Sequence, residues 1–143
     1  MKSIKKILLV DDSPNDRELI ITALQENNIS NPVDTVDDGE EALDYLYKRG
    51  KFTDLPIGSP AVVLLDINMP KLSGLDVLEK IKSDDKLKSI PVVMLTSSRE
   101  ETDLVKSYRK GVNAYVVKPV DFEDFFKAVR ELGIFWAIIN ETP

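Results

Sequence analysis

The chain has 143 residues, enough for one hydrophobic core but too few for two. Its 25 acidic residues outnumber 19 basic ones, which argues against a nucleic-acid partner because phosphate backbones are bound by clustered Lys and Arg. The lack of Cys and His excludes disulfides, thiol nucleophiles and the usual zinc ligands, so we expect any bound metal ion to have oxygen ligands.

Apolar runs of strand length alternate with amphipathic segments along the chain. The apolar runs predict five strands, at 7–10, 33–36, 61–65, 90–95 and 114–117. The amphipathic segments predict helices at 15–25, 39–47, 75–81 and 100–110, with a fifth helix from Asp121. Strands that are apolar throughout and alternate with helices indicate a parallel sheet covered on both faces. We therefore predict an α/β fold: a five-stranded doubly wound parallel sheet in the flavodoxin-like order 2-1-3-4-5, with helices on both faces.

One long connection, at 49–60, interrupts this regular alternation. It is rich in Pro and Gly, which is typical of a surface loop. The loop could be functional, but we favour a tolerated insertion.

Polar residues close four of the five predicted strands. They are Asp11 and Asp12 after the first strand, Asp66 after the third, Thr96 after the fourth and Lys118 after the fifth. In the order 2-1-3-4-5 the first and third strands are neighbours, so their three carboxylates should meet at the carboxyl edge of the sheet. Such a cluster is unfavourable without a cation, and carboxylates without His or Cys favour Mg²⁺, Mn²⁺ or Ca²⁺. The sequence therefore predicts a divalent-metal site.

An aspartate beside a metal ion, a lysine and a hydroxyl has the parts of a phosphoryl acceptor. Asp66 would attack the phosphorus, while the metal ion, Lys118 and Thr96 neutralise the developing charge. Because the chain has no His, a second protein or a small molecule must donate the phosphoryl group.

Four segments carry a family resemblance: LLVDDS, LLDINMPKLSGLDVL, PVVMLTSS and GVNAYVVKP. Together they resemble the motif set of the CheY-like response-regulator receiver domain of two-component signalling, from Ile7 to about Leu132. The resemblance implies that Asp66 is the phosphoacceptor. It also implies that Asp11, Asp12, Asp66 and the backbone carbonyl of Asn68 hold Mg²⁺, or Mn²⁺ in its place.

The same resemblance implies roles for residues around the acceptor. Lys118 would contact the phosphoryl group, and Thr96 with Tyr115 would form the switch pair. The bond before Pro119 would be cis. Two positions would tune the hydrolysis rate, Asn68 and Ser98.

The predicted function is that of a stand-alone response regulator rather than an enzyme. It would accept a phosphoryl group from a sensor histidine kinase, catalyse only its own phosphorylation and dephosphorylation, and signal by altered contacts with a downstream protein or phosphotransfer protein. The alternative is a degenerate receiver that acts as a phosphorylation-independent interaction module. Intact Asp66, Thr96 and Lys118 argue against that alternative.

Two other classes of protein are disfavoured by the residues at particular positions. A haloacid-dehalogenase phosphatase would need a second Asp where Asn68 stands. A flavin or nucleotide carrier would need an anion-binding loop after the first strand, where Asp11, Asp12 and Asp16 would repel phosphate.

The C-terminus carries more apolar surface than one helix of such a domain usually buries. We predict a domain at 1–133 and an extension at 134–143 that continues the fifth helix, with no separate output domain. We favour a homodimer over a tail folded on its own domain. It would use the side from the fourth strand to the fifth helix and the tail, with a surface of Phe126, Phe135, Trp136 and Ile138. The ending FWAIINETP also resembles single-domain response regulators paired with bacteriophytochrome-type histidine kinases.

Neither a signal-peptide pattern nor a membrane-spanning run is present in the sequence. The longest apolar run, at 134–139, is far shorter than the roughly 20 residues that cross a bilayer. We therefore expect a cytoplasmic protein without a membrane partner.

Overall fold

A computed structural model of the chain describes residues 5–29, 31–55, 59–69, 72–96, 114–117 and 122–131. Five parallel strands form one sheet: β1 (Ile7–Val10), β2 (Val33–Val36), β3 (Val62–Asp66), β4 (Val92–Thr96) and β5 (Ala114–Val117). Their order is β2-β1-β3-β4-β5, which confirms the predicted doubly wound topology.

The helices of the described residues are α1 (Pro14–Glu26), α2 (Gly39–Tyr47), α3 (Gly74–Ser83) and a C-terminal helix (Phe122–Glu131). None of these four is long and apolar enough to cross a membrane. The helix predicted at 100–110 and the extension at 134–143 lie outside the described residues, so both stay predictions. The same holds for six predicted functional or surface residues: Ser98, Lys118, Pro119, Phe135, Trp136 and Ile138.

Both faces of the sheet are buried, which is why its central strands are apolar throughout. Side chains such as Leu8 and Leu65 point to the face covered by α2 and α3. Alternate residues such as Leu9 and Leu64 point to the opposite face, where α1 packs. The C-terminal helix packs against α1 on that second side.

Helices α1, α2 and α3 begin at the carboxyl edge of the sheet with a polar N-cap. The side chains of Ser13, Asp38 and Ser73 each accept a hydrogen bond from the amide three residues later, at 3.3, 2.9 and 3.3 Å. These caps satisfy amides that would otherwise lack an intrahelical partner. Because all three caps lie at the carboxyl edge of the sheet, the N-termini of α1, α2 and α3 lie there together.

The segment 49–55 is more closely integrated than the predicted surface insertion. A short 3₁₀ helix, Gly50–Phe52, follows α2, and the side chains of Phe52 and Leu55 pack against the core beside α2 and α3. The Phe52 ring meets the Tyr45 ring edge to face, with 5.3 Å between centroids. This part of the connection is therefore more than a surface loop, because its apolar side chains add to the core. That the connection is a tolerated insertion stays a prediction.

Phe52→Ala tests this integration. Removing a partly buried aromatic ring and its contact with Tyr45 should lower the free energy of unfolding by about 1–3 kcal/mol. Chemical denaturation measures the change. Asp54→Ala, an exposed side chain in the same segment, should stay within about 0.5 kcal/mol of the native protein. Equal stability of the two variants would contradict the packing role of Phe52.

Candidate functional site

Three carboxylates meet at the carboxyl edge of the sheet, where β1 and β3 end side by side. Asp11 directly follows β1, and Asp66 is the last residue of β3. Just before them, Val10 and Leu65 are register partners. Carboxylate oxygens of Asp11, Asp12 and Asp66 all lie within 4.8 Å of one another. The structure thus brings together the acidic residues that the sequence analysis assigned to one spot.

Burial makes this cluster electrostatically unfavourable. Asp11 is 0% exposed and Asp66 is 4% exposed, whereas Asp12 faces solvent. Burying a carboxylate is costly unless hydrogen bonds or opposite charges compensate. The Ser13 amide donates to Oδ1 of Asp11 at 2.9 Å, and the Asn68 amide donates to Oδ1 of Asp66 at 3.2 Å. These two bonds orient both buried carboxylates.

Two further predicted residues lie on the strands beyond β3. Thr96 is the fully buried last residue of β4, the strand that pairs with β3. Tyr115 lies on β5 and is the register partner of Met94, two residues before Thr96. Because side chains alternate along a strand, Tyr115 points to the same face of the sheet as Thr96. Its side chain is 38% exposed.

The match to a known family covers this whole arrangement. The model of the response regulator receiver domain matches residues 7–130. The chain belongs to this family. The receiver domain is a signalling domain of two-component systems and is not a metabolic enzyme.

Similar receiver proteins match along nearly their full length. Response regulator Rcp1 of Synechocystis is 39% identical, over 92% of this chain and 88% of Rcp1. The bacteriophytochrome response regulator RtBRR is 55% identical, with a TM-score of 0.85 over 99% of this chain and 85% of RtBRR. The Mn(2+)-bound form of Rcp1 (38% identity, 96% and 97% coverage) and the phosphorylated cyanobacterial phytochrome response regulator RcpA (39% identity, 99% and 98% coverage) both have a TM-score of 0.80.

The acidic cluster of this receiver domain fits a divalent metal ion. Its donor set is three carboxylates, and the sequence offers no His or Cys as a softer ligand. Carboxylate oxygens are the ligands that hard divalent cations prefer. A cation at this point would also offset the repulsion between Asp11, Asp12 and Asp66.

Gly74 brings helix α3 directly against the backbone of Asp66. A Cβ atom at this position would lie 2.2 Å from the carbonyl oxygen of Asp66 and 2.7 Å from Cα of Ile67. The Gly74 amide donates to the Ile67 carbonyl at 2.9 Å, which holds the helix in this close approach. Glycine is therefore required at this position because there is no room for a Cβ atom, and not because of its backbone angles.

Gly74→Ala is expected to displace either α3 or the end of β3. We expect a loss of about 1–3 kcal/mol in the free energy of unfolding, as for other overpacked sites, together with weaker Mn²⁺ binding. Calorimetric titration and denaturation measure the two effects. Ser83→Ala at the exposed far end of α3 is the matched control and should change neither. Native stability and Mn²⁺ affinity in Gly74→Ala would disprove the close-packing argument.

Two residues at this site, Gly74 and Arg17, were not predicted from the sequence. The sequence places Gly74 in the loop after the third strand but does not indicate its close contact with the backbone of Asp66. Arg17 belongs to the polar face of α1, yet its side chain reaches the backbone of Asp11. A signal for Arg17 was present, because a cation so near a helix N-terminus opposes the helix dipole and needs a compensating partner.

Proposed function

We propose that this receiver domain accepts a phosphoryl group on Asp66 from a histidine kinase. Mg²⁺ would be held by Asp11, Asp12, Asp66 and the backbone carbonyl of Asn68. The observation that carries the proposal is the meeting of buried Asp66 with two further carboxylates at the ends of adjacent strands. Support also comes from relatives solved in a Mn(2+)-bound and in a phosphorylated form.

In the proposed reaction, a carboxylate oxygen of Asp66 forms the new P–O bond while the P–N bond of the kinase phosphohistidine breaks. The leaving imidazole takes up a proton. Bound Mg²⁺ supplies positive charge to the phosphoryl oxygens. The Asn68 amide holds the Asp66 carboxylate in one orientation. Such positioning lowers the barrier because phosphoryl transfer depends mainly on alignment and charge stabilisation.

Neighbouring residues have proposed roles in charge stabilisation and signalling. Thr96 and Lys118 would bind the transferred phosphoryl group, and Tyr115 would turn inward as the Thr96 hydroxyl moves. The exposed Tyr115 side chain on the same face as buried Thr96 supports this switch. The tuning of hydrolysis by Asn68 and Ser98, and the cis bond before Pro119, stay predictions.

The partner we propose is a phytochrome-type sensor kinase, and the output is an altered protein contact. The support is the 55% identity to RtBRR, which is itself a bacteriophytochrome response regulator. The stand-alone arrangement, the domain limits 1–133 and 134–143, and a cytoplasmic location stay predictions from the sequence.

Intact-mass spectrometry with a small-molecule phosphodonor tests the acceptor. We expect one phosphoryl adduct in the presence of Mg²⁺, and none with EDTA or with Asp66→Asn. Asp85→Asn, a highly exposed carboxylate away from the cluster, is the matched control and should be modified like the native protein. A folded, Mn²⁺-binding native protein that forms no adduct would contradict phosphorylation and favour the phosphorylation-independent interaction module.

A homodimer through the C-terminal helix and tail belongs to the same proposal. In the described part of that surface, the half-buried ring of Phe126 lies 5.9 Å from the guanidinium carbon of Arg130. The Phe126 carbonyl accepts a hydrogen bond from the side chain of Asn27, the C-cap of α1, at 3.2 Å, and this bond anchors this part of the helix.

Light scattering at tens of micromolar protein tests the dimer. We expect a dimeric mass for the native chain and a monomeric mass for Trp136→Asp, because a buried charge would disrupt an apolar interface. Glu123→Gln, an exposed change on the helix Phe122–Glu131, should leave the mass unchanged. A strict monomer with and without phosphodonor would rule out the dimer.

A further inference from the structure

Arg17 links three chain segments beside the acidic cluster. Its Nε donates to the backbone carbonyl of Asp11 at 2.5 Å, and its Nη2 donates to the carbonyl of Val36 at 3.2 Å. The same Nη2 forms an ion pair with the Asp37 carboxylate. One side chain of α1 therefore holds the first residue after β1, the last residue of β2 and the first residue after β2.

The hydrogen bond from Arg17 Nε fixes the orientation of the peptide group between Asp11 and Asp12. The Asp11 carbonyl and the Asp12 Cα lie in the same peptide plane. Fixing the direction of the carbonyl therefore also fixes the position of the Cα from which the Asp12 side chain extends. The Asp11 amide donates to the Val36 carbonyl at 3.2 Å, the oxygen that Arg17 also contacts. Together with the Ser13 amide on Oδ1 of Asp11, these bonds leave the Asp11 backbone little rotational freedom.

We propose that Arg17 is a positioning residue for the divalent-metal site. It orients the peptide between Asp11 and Asp12 so that both carboxylates face Asp66 before a cation arrives. The inference rests on the metal site of the proposed function. Planar guanidinium donors suit this task because they can bind several acceptors in fixed directions, which the single ammonium of lysine cannot reproduce.

The charge of Arg17 and its geometry have opposite effects on metal binding. A positive charge near the cluster repels a cation, so loss of the charge alone would tighten binding. Loss of the backbone bonds would weaken binding because the two carboxylates would have to be ordered by the metal itself. The ion pair with Asp37 offsets much of the guanidinium charge, so we expect the geometric effect to dominate. The sign of the change in affinity therefore separates the two effects.

Binding of Mn²⁺ alone, followed by electron paramagnetic resonance of the free ion, provides the test. Arg17→Met should raise the Mn²⁺ dissociation constant by about tenfold or more, as is typical when groups that orient metal ligands are removed. Arg17→Lys keeps the charge but not the planar set of donors, and its affinity should stay closer to that of Arg17→Met than to native. Each variant is measured below its own unfolding midpoint, so a purely structural role of Arg17 would leave the affinity of the folded protein unchanged.

Lys51→Met is the matched control. It removes one positive charge from the neighbouring region, where Lys51 contacts Glu41 and the Phe52 ring. Its Mn²⁺ affinity should remain native. If Arg17→Met does not fold, Arg17→Lys carries the comparison because lysine retains the charge and most of the aliphatic stem.

The outcomes are distinct. Native or tighter Mn²⁺ binding in folded Arg17→Met, or native binding in Arg17→Lys, would overturn the positioning role while the metal site itself stands. Failure of the native protein to bind Mn²⁺ would overturn both the metal site and the role assigned to Arg17.

Discussion

Repulsion between carboxylates held at one edge of a buried sheet is the constraint on which this site depends. Pairing of β1 with β3 sets Asp11 beside Asp66, and both side chains are removed from water. In a low-dielectric environment such like charges are costly, and the protein compensates with amides aimed at each carboxylate. The amides reduce the cost of burial but leave the net negative charge, which is what a divalent cation would neutralise.

The helices reinforce this arrangement because three of them begin at the same edge. The N-termini of α1 and α3 follow β1 and β3 after short connections, so their partial positive charges lie on the acidic side of the domain. Close packing sets the distance, since only glycine at position 74 lets α3 approach the carbonyl of Asp66. Fold and site are thus coupled: the elements that bury the strands also stabilise the negative charge at their ends.

Patterns that repeat along the chain made most of this architecture predictable. Continuous apolar runs and helical spacing were enough for the five strands and for a parallel sheet covered on both faces. The strand order was that of the flavodoxin-like arrangement, and the convergence of the three carboxylates followed from it. Contacts that depend on three-dimensional approach were not predictable in the same way. Gly74 looks like any loop glycine until its neighbour is known, and Phe52 looks like part of a surface loop until its ring is seen against Tyr45. Arg17 belongs to the polar face of α1, yet its side chain contacts the residue after β1 and the last residue of β2.

The all-parallel strand order also governs how the domain folds. No two of its strands can pair through a tight hairpin, and Ile7 reaches its partner Val62 only after α1, β2 and α2 have been placed between them. Such long-range closure makes folding slow compared with that of helical domains of similar size. The acidic cluster exists only after this closure, so a cation that binds it stabilises the native state and not the unfolded chain. A divalent cation at the cluster would therefore act on the unfolding equilibrium, and through it on the fraction of chains exposed to proteolysis.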